Sequence, residues 1–208
     1  NGVDPEKFAV RSQAECRARL GLSYDRKIGV YVGFLIDRKD QSLILRAASE
    51  IRNRGSQPPL IVLVGDGPNR QKLEREVKEM KLEKDVILAG QQTHEEVAYW
   101  MGAADWLLLS SSSEGWATVY FEAMACGCYP ILSDIEGNQS WISHRENGQL
   151  IAIDNAKILA EELIWSFENK EYRNDAVSKN RKFVEENANY SCNMKIIAEK
   201  YHQLINTF

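Results

Sequence analysis

The 208 residues are 44% apolar, enough for a full core, and the length fits one domain. A net charge of -4 excludes the broadly basic face that general nucleic-acid binding needs, although a local basic pocket would not show in that total. No apolar run approaches the roughly 18 residues of a membrane-spanning helix.

Taken in order, Ser12 with Glu15 reads as a capping box for a short helix that Gly21 ends. Residues 28–33 follow as a buried strand, and 40–54 as a helix with Gly55 behind it. Residues 60–64 are a strand, and 69–82 a helix with Leu73, Val77 and Met80 on one face. A strand at 86–89 leads to a second capping box, Thr93 with Glu96, which opens a helix through Trp100 and Met101. Residues 106–109 are a short apolar strand, 118–126 a helix stopped by Gly127, and 129–133 and 149–153 a fifth and sixth strand. This alternation predicts right-handed crossovers and a parallel sheet of about six strands with helices on both faces, an α/β Rossmann-like domain. Beyond Asn155 only helical patterning remains, ending in a helix at 191–205 for which Ser191 is the expected N-cap.

Four cysteines, Cys16, Cys126, Cys128 and Cys192, lack both the CxxC spacing of a redox or zinc motif and the density of a disulfide scaffold. The simplest account of that usage is a reduced, cytosolic chain. Asn1-Gly2-Val3-Asp4 has neither the basic start nor the hydrophobic segment of a secretory signal, which leaves mature secretion open. Cys126 and Cys128 flank a glycine near a helix end and read as small, buried packing residues. His94, His144 and His202 are scattered among polar neighbours, and no metal-ligand set is expected among them.

The chemistry gathers at Ser110-Ser111-Ser112-Ser113-Glu114-Gly115-Trp116-Ala117-Thr118, between a buried strand and a helix N-terminus. Such an end carries unpaired N–H groups and partial positive charge, which suit a phosphate or a carboxylate. Ligands of open parallel sheets bind beyond the carboxyl ends of the strands. The other loops to weigh are therefore Gly33 to Asp40, Gly65-Asp66-Gly67-Pro68 and Ala89-Gly90-Gln91-Gln92. The Gly-Asp-Gly-Pro stretch reads mainly as turn chemistry and lacks the Gly-Lys-Ser/Thr ending of a Walker motif.

Glu114-Gly115-Trp116-Ala117, followed by Glu122-Ala123-Met124-Ala125-Cys126-Gly127, resembles the signature of the retaining glycosyltransferases of family 4. There the usual pattern is Glu-Gly-Phe-Gly, a few apolar residues, then Glu-Ala-Met-Ala-x-Gly, so Ala117 stands where glycine is usual. The loop Gly33-Phe34-Leu35-Ile36-Asp37-Arg38-Lys39-Asp40 resembles the family's Gly-Arg-Leu-x-x-x-Lys-Gly. Lys39 matches the lysine, Phe34 occupies the arginine position and Asp40 replaces the glycine, with Arg38 the nearest substitute cation. The resemblance covers nearly the whole chain. It implies the C-terminal, donor-binding half of a GT-B fold, whose two Rossmann-like domains face a cleft: 1–11 a junction, 12–154 the core, 155–208 C-terminal helices. The final helix often crosses back to the partner domain in intact family members.

The resemblance also implies roles. Gly33 and Lys39 would meet the donor diphosphate, and backbone groups at Gly90 the nucleobase. Glu114 would bond hydroxyls of the transferred sugar, with the backbone from Gly115 through Trp116, Ala117, Thr118 and Val119 facing sugar and diphosphate. Glu122 would take the two ribose hydroxyls. A carboxylate accepts both protons of a vicinal diol but repels a diphosphate, so Glu122 belongs at the ribose. The Trp116 side chain reads as packing. Lys39 and Glu114 are the expected catalytic residues, the donor is a UDP, GDP or ADP sugar, and no cofactor or metal is implied.

The expected activity is transfer of a hexose to a glycan or lipid-linked acceptor, with the acceptor site in an N-terminal domain beyond these residues. This chain alone is expected to bind donor without turnover. The expected location is cytoplasmic, with the inner membrane face open to the intact enzyme through that other domain. The rival readings are a non-catalytic nucleotide-sugar-binding or partner domain, supported by Phe34, Asp40 and Ala117, and a nucleotide-sugar epimerase on the same fold. A dehydrogenase reading would need the GxGxxG that the first strand-helix loop lacks.

Overall fold

The structure, a computed structural model, describes residues 2–4, 6–9, 11–115 and 118–205. Six strands carry the domain: β1 Ile28–Val32, β2 Leu60–Val64, β3 Val86–Gly90, β4 Trp106–Leu109, β5 Tyr129–Ser133 and β6 Gln149–Ile151. Between them run α1 Gln13–Arg19, α2 Gln41–Asn53, α3 Arg70–Glu79, α4 His94–Ala103, α5 Val119–Cys126 and the short α6 Glu136–Gln139. Three helices close the chain, α7 Ala156–Glu168, α8 Lys170–Asn187 and α9 Tyr190–Ile205.

All strand pairings are parallel and the order is β3-β2-β1-β4-β5-β6. The strands are apolar runs because both faces of the sheet are covered; Val30, Val62, Leu107 and Ile131 are all fully buried. Burying each such side chain contributes about 1.5–3 kcal/mol. α2 packs against α7 and α3 against α2 on one side, α1 against α4 and α5 against α8 elsewhere. Strand order reverses between β1 and β4, so the loops leaving these two neighbours diverge to opposite faces and open a crevice at the carboxyl end of the sheet.

The opposite, amino end is fastened by charge. Asp105, just before β4, accepts from Arg17 Nη2 at 2.9 Å, Lys27 Nζ at 2.7 Å and the Ile28 amide at 3.0 Å. Its own carbonyl receives the Tyr129 amide at 3.0 Å, so one residue links β1, β4 and β5. Asp85, before β3, similarly pairs with Arg26 and Arg52.

Element types match the sequence pattern, and the differences are local. Ser12 sits at the N-cap of α1 without its side chain capping the helix, so the expected Ser12–Glu15 box does not form. Thr93 and Glu96 do form theirs. α3 stops before Leu82 because Lys81 turns left-handed (φ 56°), and the Leu82 amide bonds back to the Val77 carbonyl at 2.8 Å. That closure drives Leu82 fully into the core. α9 starts at Tyr190, with Asn189 Oδ1 accepting from the Cys192 amide at 3.2 Å, so Asn189 caps it in place of Ser191. The reason is tertiary: Val3 bonds Ala188 and Tyr190 on either side, fixing where the last helix begins. The expected sixth strand ends at Ile151, short of Asp154, whose φ is 55°. Cys126 and Cys128 are buried packing residues, as expected.

Candidate functional site

Lys39 and Glu114 lie 75 positions apart in sequence, and the fold joins them at the crevice. Lys39 Nζ forms an ion pair with Glu114 Oε1, and Arg38 Nη1 lies 3.7 Å from Oε2 of the same carboxylate. The Glu114 side chain is 7% exposed and that of Lys39 16%. A carboxylate so far from water needs a partner in place, and here two cations face it.

Several bonds hold that geometry. β1 ends before Gly33, and the chain passes through a 3-10 turn at Asp37–Lys39 into α2. Ser110 Oγ lies 2.9 Å from the Lys39 carbonyl and 2.7 Å from the Asp40 carbonyl, and its hydroxyl donates to this pair. The Ser112 amide donates to the Arg38 carbonyl at 2.9 Å, and Arg38 Nη1 donates to the Ser113 carbonyl. The alternating serines thus lace the loop after β4 to the loop after β1. Two of the four, Ser110 and Ser112, therefore have defined positions in the site. Behind them, Tyr31 Oη and Gln41 Nε2 each donate to the Phe34 carbonyl at 2.9 Å, pinning the backbone whose side chain is 72% exposed.

Asp40, where the resemblance has glycine, keeps the left-handed backbone at φ 37° and uses its side chain to cap α2, accepting from Leu43 N at 3.2 Å. Burial raises its pKa, and Arg46, 3.6 Å away, draws it back.

The other expected residues lie along the same rim without touching the ion pair. Gly33 bonds the Val64 carbonyl at 3.0 Å and Gly65 bonds the Gly90 carbonyl at 2.8 Å, so these three glycines stand side by side at the ends of β1, β2 and β3. A Cβ on Gly65 would collide with the Gly33 carbonyl oxygen, so the Gly-Asp-Gly-Pro turn is required by backbone packing, in line with its structural reading. Thr118 and Val119 form the first turn of α5, partly exposed. Gly115 is exposed; Trp116 and Ala117 lie outside the described residues.

Glu122, one turn into α5, is half-buried and accepts no hydrogen bond or ion pair among the described residues. Burial raises its pKa, and His94 at the start of α4 counters in part. His94 therefore belongs to the site's surroundings, which its polar sequence neighbours gave no means of reading. So do Gly137, where a Cβ would stand 2.7 Å from the Glu114 carbonyl oxygen, and Tyr120. The Tyr120 phenol is pushed up to about 12 by burial, with the Glu114 charge adding to it, and its hydroxyl has no partner among the described residues. No group of three or more metal-ligating side chains occurs among those residues.

A cavity of about 420 Å³ opens at the other end of the sheet, lined by Lys27, Pro59, Trp106 and Phe167 among others. The cations there, Arg26 and Lys27, are already paired with Asp85 and Asp105, and the crevice above holds the convergent chemistry.

An open parallel sheet with charged and glycine-bearing loops at its switch point defines a Rossmann-like ligand-binding domain. The family model for glycosyl transferases group 1 matches residues 12–183, and the chain belongs to that family. It is 31% identical over 159 residues to D-inositol 3-phosphate glycosyltransferase of Frankia alni, covering 73% of this chain and 39% of that one. Among solved structures, sucrose-phosphate synthase from Thermosynechococcus elongatus superposes with a TM-score of 0.88 at 27% identity, over 100% of this chain and 52% of that one. Anabaena HepE in complex with UDP-glucose has a TM-score of 0.85 at 21% identity, over 98% and 56%. The chain thus spans about half, or less, of the length of these proteins.

Proposed function

We propose that this chain is the nucleotide-sugar-binding half of a retaining hexosyltransferase of the GT-B fold, acting on a glycan or lipid-linked acceptor. The observation that carries the reading is the convergence of Lys39 on Glu114 at the switch point, beside the first turn of α5. The HepE complex, a structural neighbour that holds UDP-glucose, adds support for a nucleotide-sugar donor.

On this reading the donor lies across the crevice with its ribose at Glu122 and its sugar at Glu114. Breaking the bond from sugar to diphosphate develops negative charge on the leaving phosphate. Lys39 and the α5 N–H groups oppose that charge in a preorganised way. Glu114 orients the sugar through its hydroxyls, and its ion pair with Lys39 holds both groups in register before donor arrives. Catalysis needs the remainder of a two-domain protein, which supplies the acceptor site.

The test is calorimetric titration of the chain with UDP, GDP and ADP without added metal. One of the three should bind saturably, and both Glu122→Gln and Lys39→Ala should weaken it by roughly tenfold or more, the loss expected for a charge-assisted hydrogen bond. Silence with all three nucleotides would sink the reading. Normal affinity in Lys39→Ala would remove only its clamp role.

A further inference from the structure

We propose that Arg38 is a second phosphate-binding cation of this site, presenting a free guanidinium edge to the nucleoside diphosphate beside Lys39; this rests on the donor-binding reading above. One carboxylate neutralises one cation, yet both Lys39 and Arg38 face Glu114, on its two different oxygens. The cluster therefore carries a surplus of one positive charge. Exposure says where that surplus is presented: Glu114 and Lys39 are 7% and 16% exposed at the side chain, Arg38 46%.

The donors point the same way. Arg38 uses Nη1 for the Ser113 carbonyl and for its approach to Glu114. Its Nε and Nη2 donate to nothing among the described residues. That leaves the planar two-donor edge which matches two oxygens of a phosphate group. Nor is Arg38 a loosely held surface arginine. Its carbonyl accepts from both the amide and the hydroxyl of Ser112, at 2.9 and 3.3 Å, so backbone and guanidinium are each fastened to the loop after β4. Phe34, exposed in the same loop, offers no charge.

Titration of wild type, Arg38→Ala, Arg38→Gln and Arg38→Lys with UDP, GDP and ADP, each at two salt concentrations, tests this. For the nucleotide that wild type binds, Ala and Gln should each lower affinity roughly ten- to hundredfold. Both should flatten the salt dependence, and Lys should restore part of the affinity. Gln keeps a donor for the Ser113 carbonyl without the charge, so it separates holding the loop from binding phosphate. Wild-type affinity in Arg38→Gln, at unchanged salt dependence, would overturn the proposal while leaving the donor-binding reading intact. If wild type binds none of the three, both fall together. Thermal melts of the variants within a few degrees of wild type would show that the loss is not one of folding.

Discussion

At the scale of single residues, Glu122 would on our proposal join stability to binding. Its carboxylate is half-buried, has no bonded partner among the described residues, and has its pKa raised by burial. Below the ordinary glutamate value of 4.5 the group is protonated in both folded and unfolded chains and adds no penalty. Between that value and the raised one, the folded chain keeps a proton that the unfolded chain has lost. Stability therefore falls as pH rises through this window. Glu122→Gln should thus be more stable than wild type at about pH 7, with the gap closing near pH 4. Urea melts at the two pH values check it, and a gap of equal size at both would refute the assignment. The same variant should bind nucleotide less well, since the amide offers one acceptor oxygen to the ribose diol where the carboxylate offers two. That Lys39 and Glu114 stand between a strand and a helix, and Glu122 a turn into the helix that follows, could be read from sequence because the strand-to-helix pattern is local. Their pairing could not, because nothing local links two positions 75 apart. The roles of Ser110 and Ser112 were hidden for the same reason: a run of four serines looks alike until a neighbouring loop chooses among them.

Elements divide the sheet into a fastened end and a working end. At the amino end Asp105 ties β1, β4 and β5 through three donors to its 5%-exposed carboxylate. Removing it leaves Arg17, 4% exposed, as a charge without its carboxylate, although Arg17 keeps bonds to the Ala103 and Tyr24 carbonyls. Asp105→Ala should cost about 3–5 kcal/mol, the usual loss when one partner of a buried pair is deleted. Because the crevice lies at the opposite end of the strands, nucleotide affinity of the folded fraction should be unchanged. Denaturant melts with calorimetry well below the transition would test both halves. A stability loss under about 1 kcal/mol, or a parallel loss of affinity, would contradict the division. Strand and helix types were legible because buried parallel strands are short apolar runs and the helices between them carry one apolar face. Helix ends were less so. Leu82 looked helical by its spacing, but Lys81 turns left-handed to seat it in the core, and Asn189 caps α9 because the distant Val3 pairs there. Both outcomes depend on packing, which periodicity does not carry.

For the whole molecule, the site has one wall. Among the described residues, the groups gathered at the switch point come from the loops after the strands of a single sheet and the first turns of the helices that follow, and on our proposal they hold donor only. The chain spans 39% of the Frankia alni relative and 52% of sucrose-phosphate synthase, so the facing half of a cleft has room in proteins of that length. α9 is exposed around much of its circumference, with Ile196, Tyr201 and Ile205 at 51%, 63% and 69%, apolar surface that on this proposal the rest of the protein would cover. On our proposal an acceptor hydroxyl must be placed and its proton removed while the leaving phosphate is stabilised, and only the last of these tasks would fall to the residues described. The expected outcome is saturable nucleotide binding by the 208-residue chain with no sugar transferred to glycan or lipid-linked acceptors. A longer chain that includes the second domain should transfer. Incubating both with the nucleotide sugar and following nucleotide release with and without acceptor separates the two cases. Acceptor-dependent release by the short chain at the rate of the longer one would mean that these residues hold a complete active site.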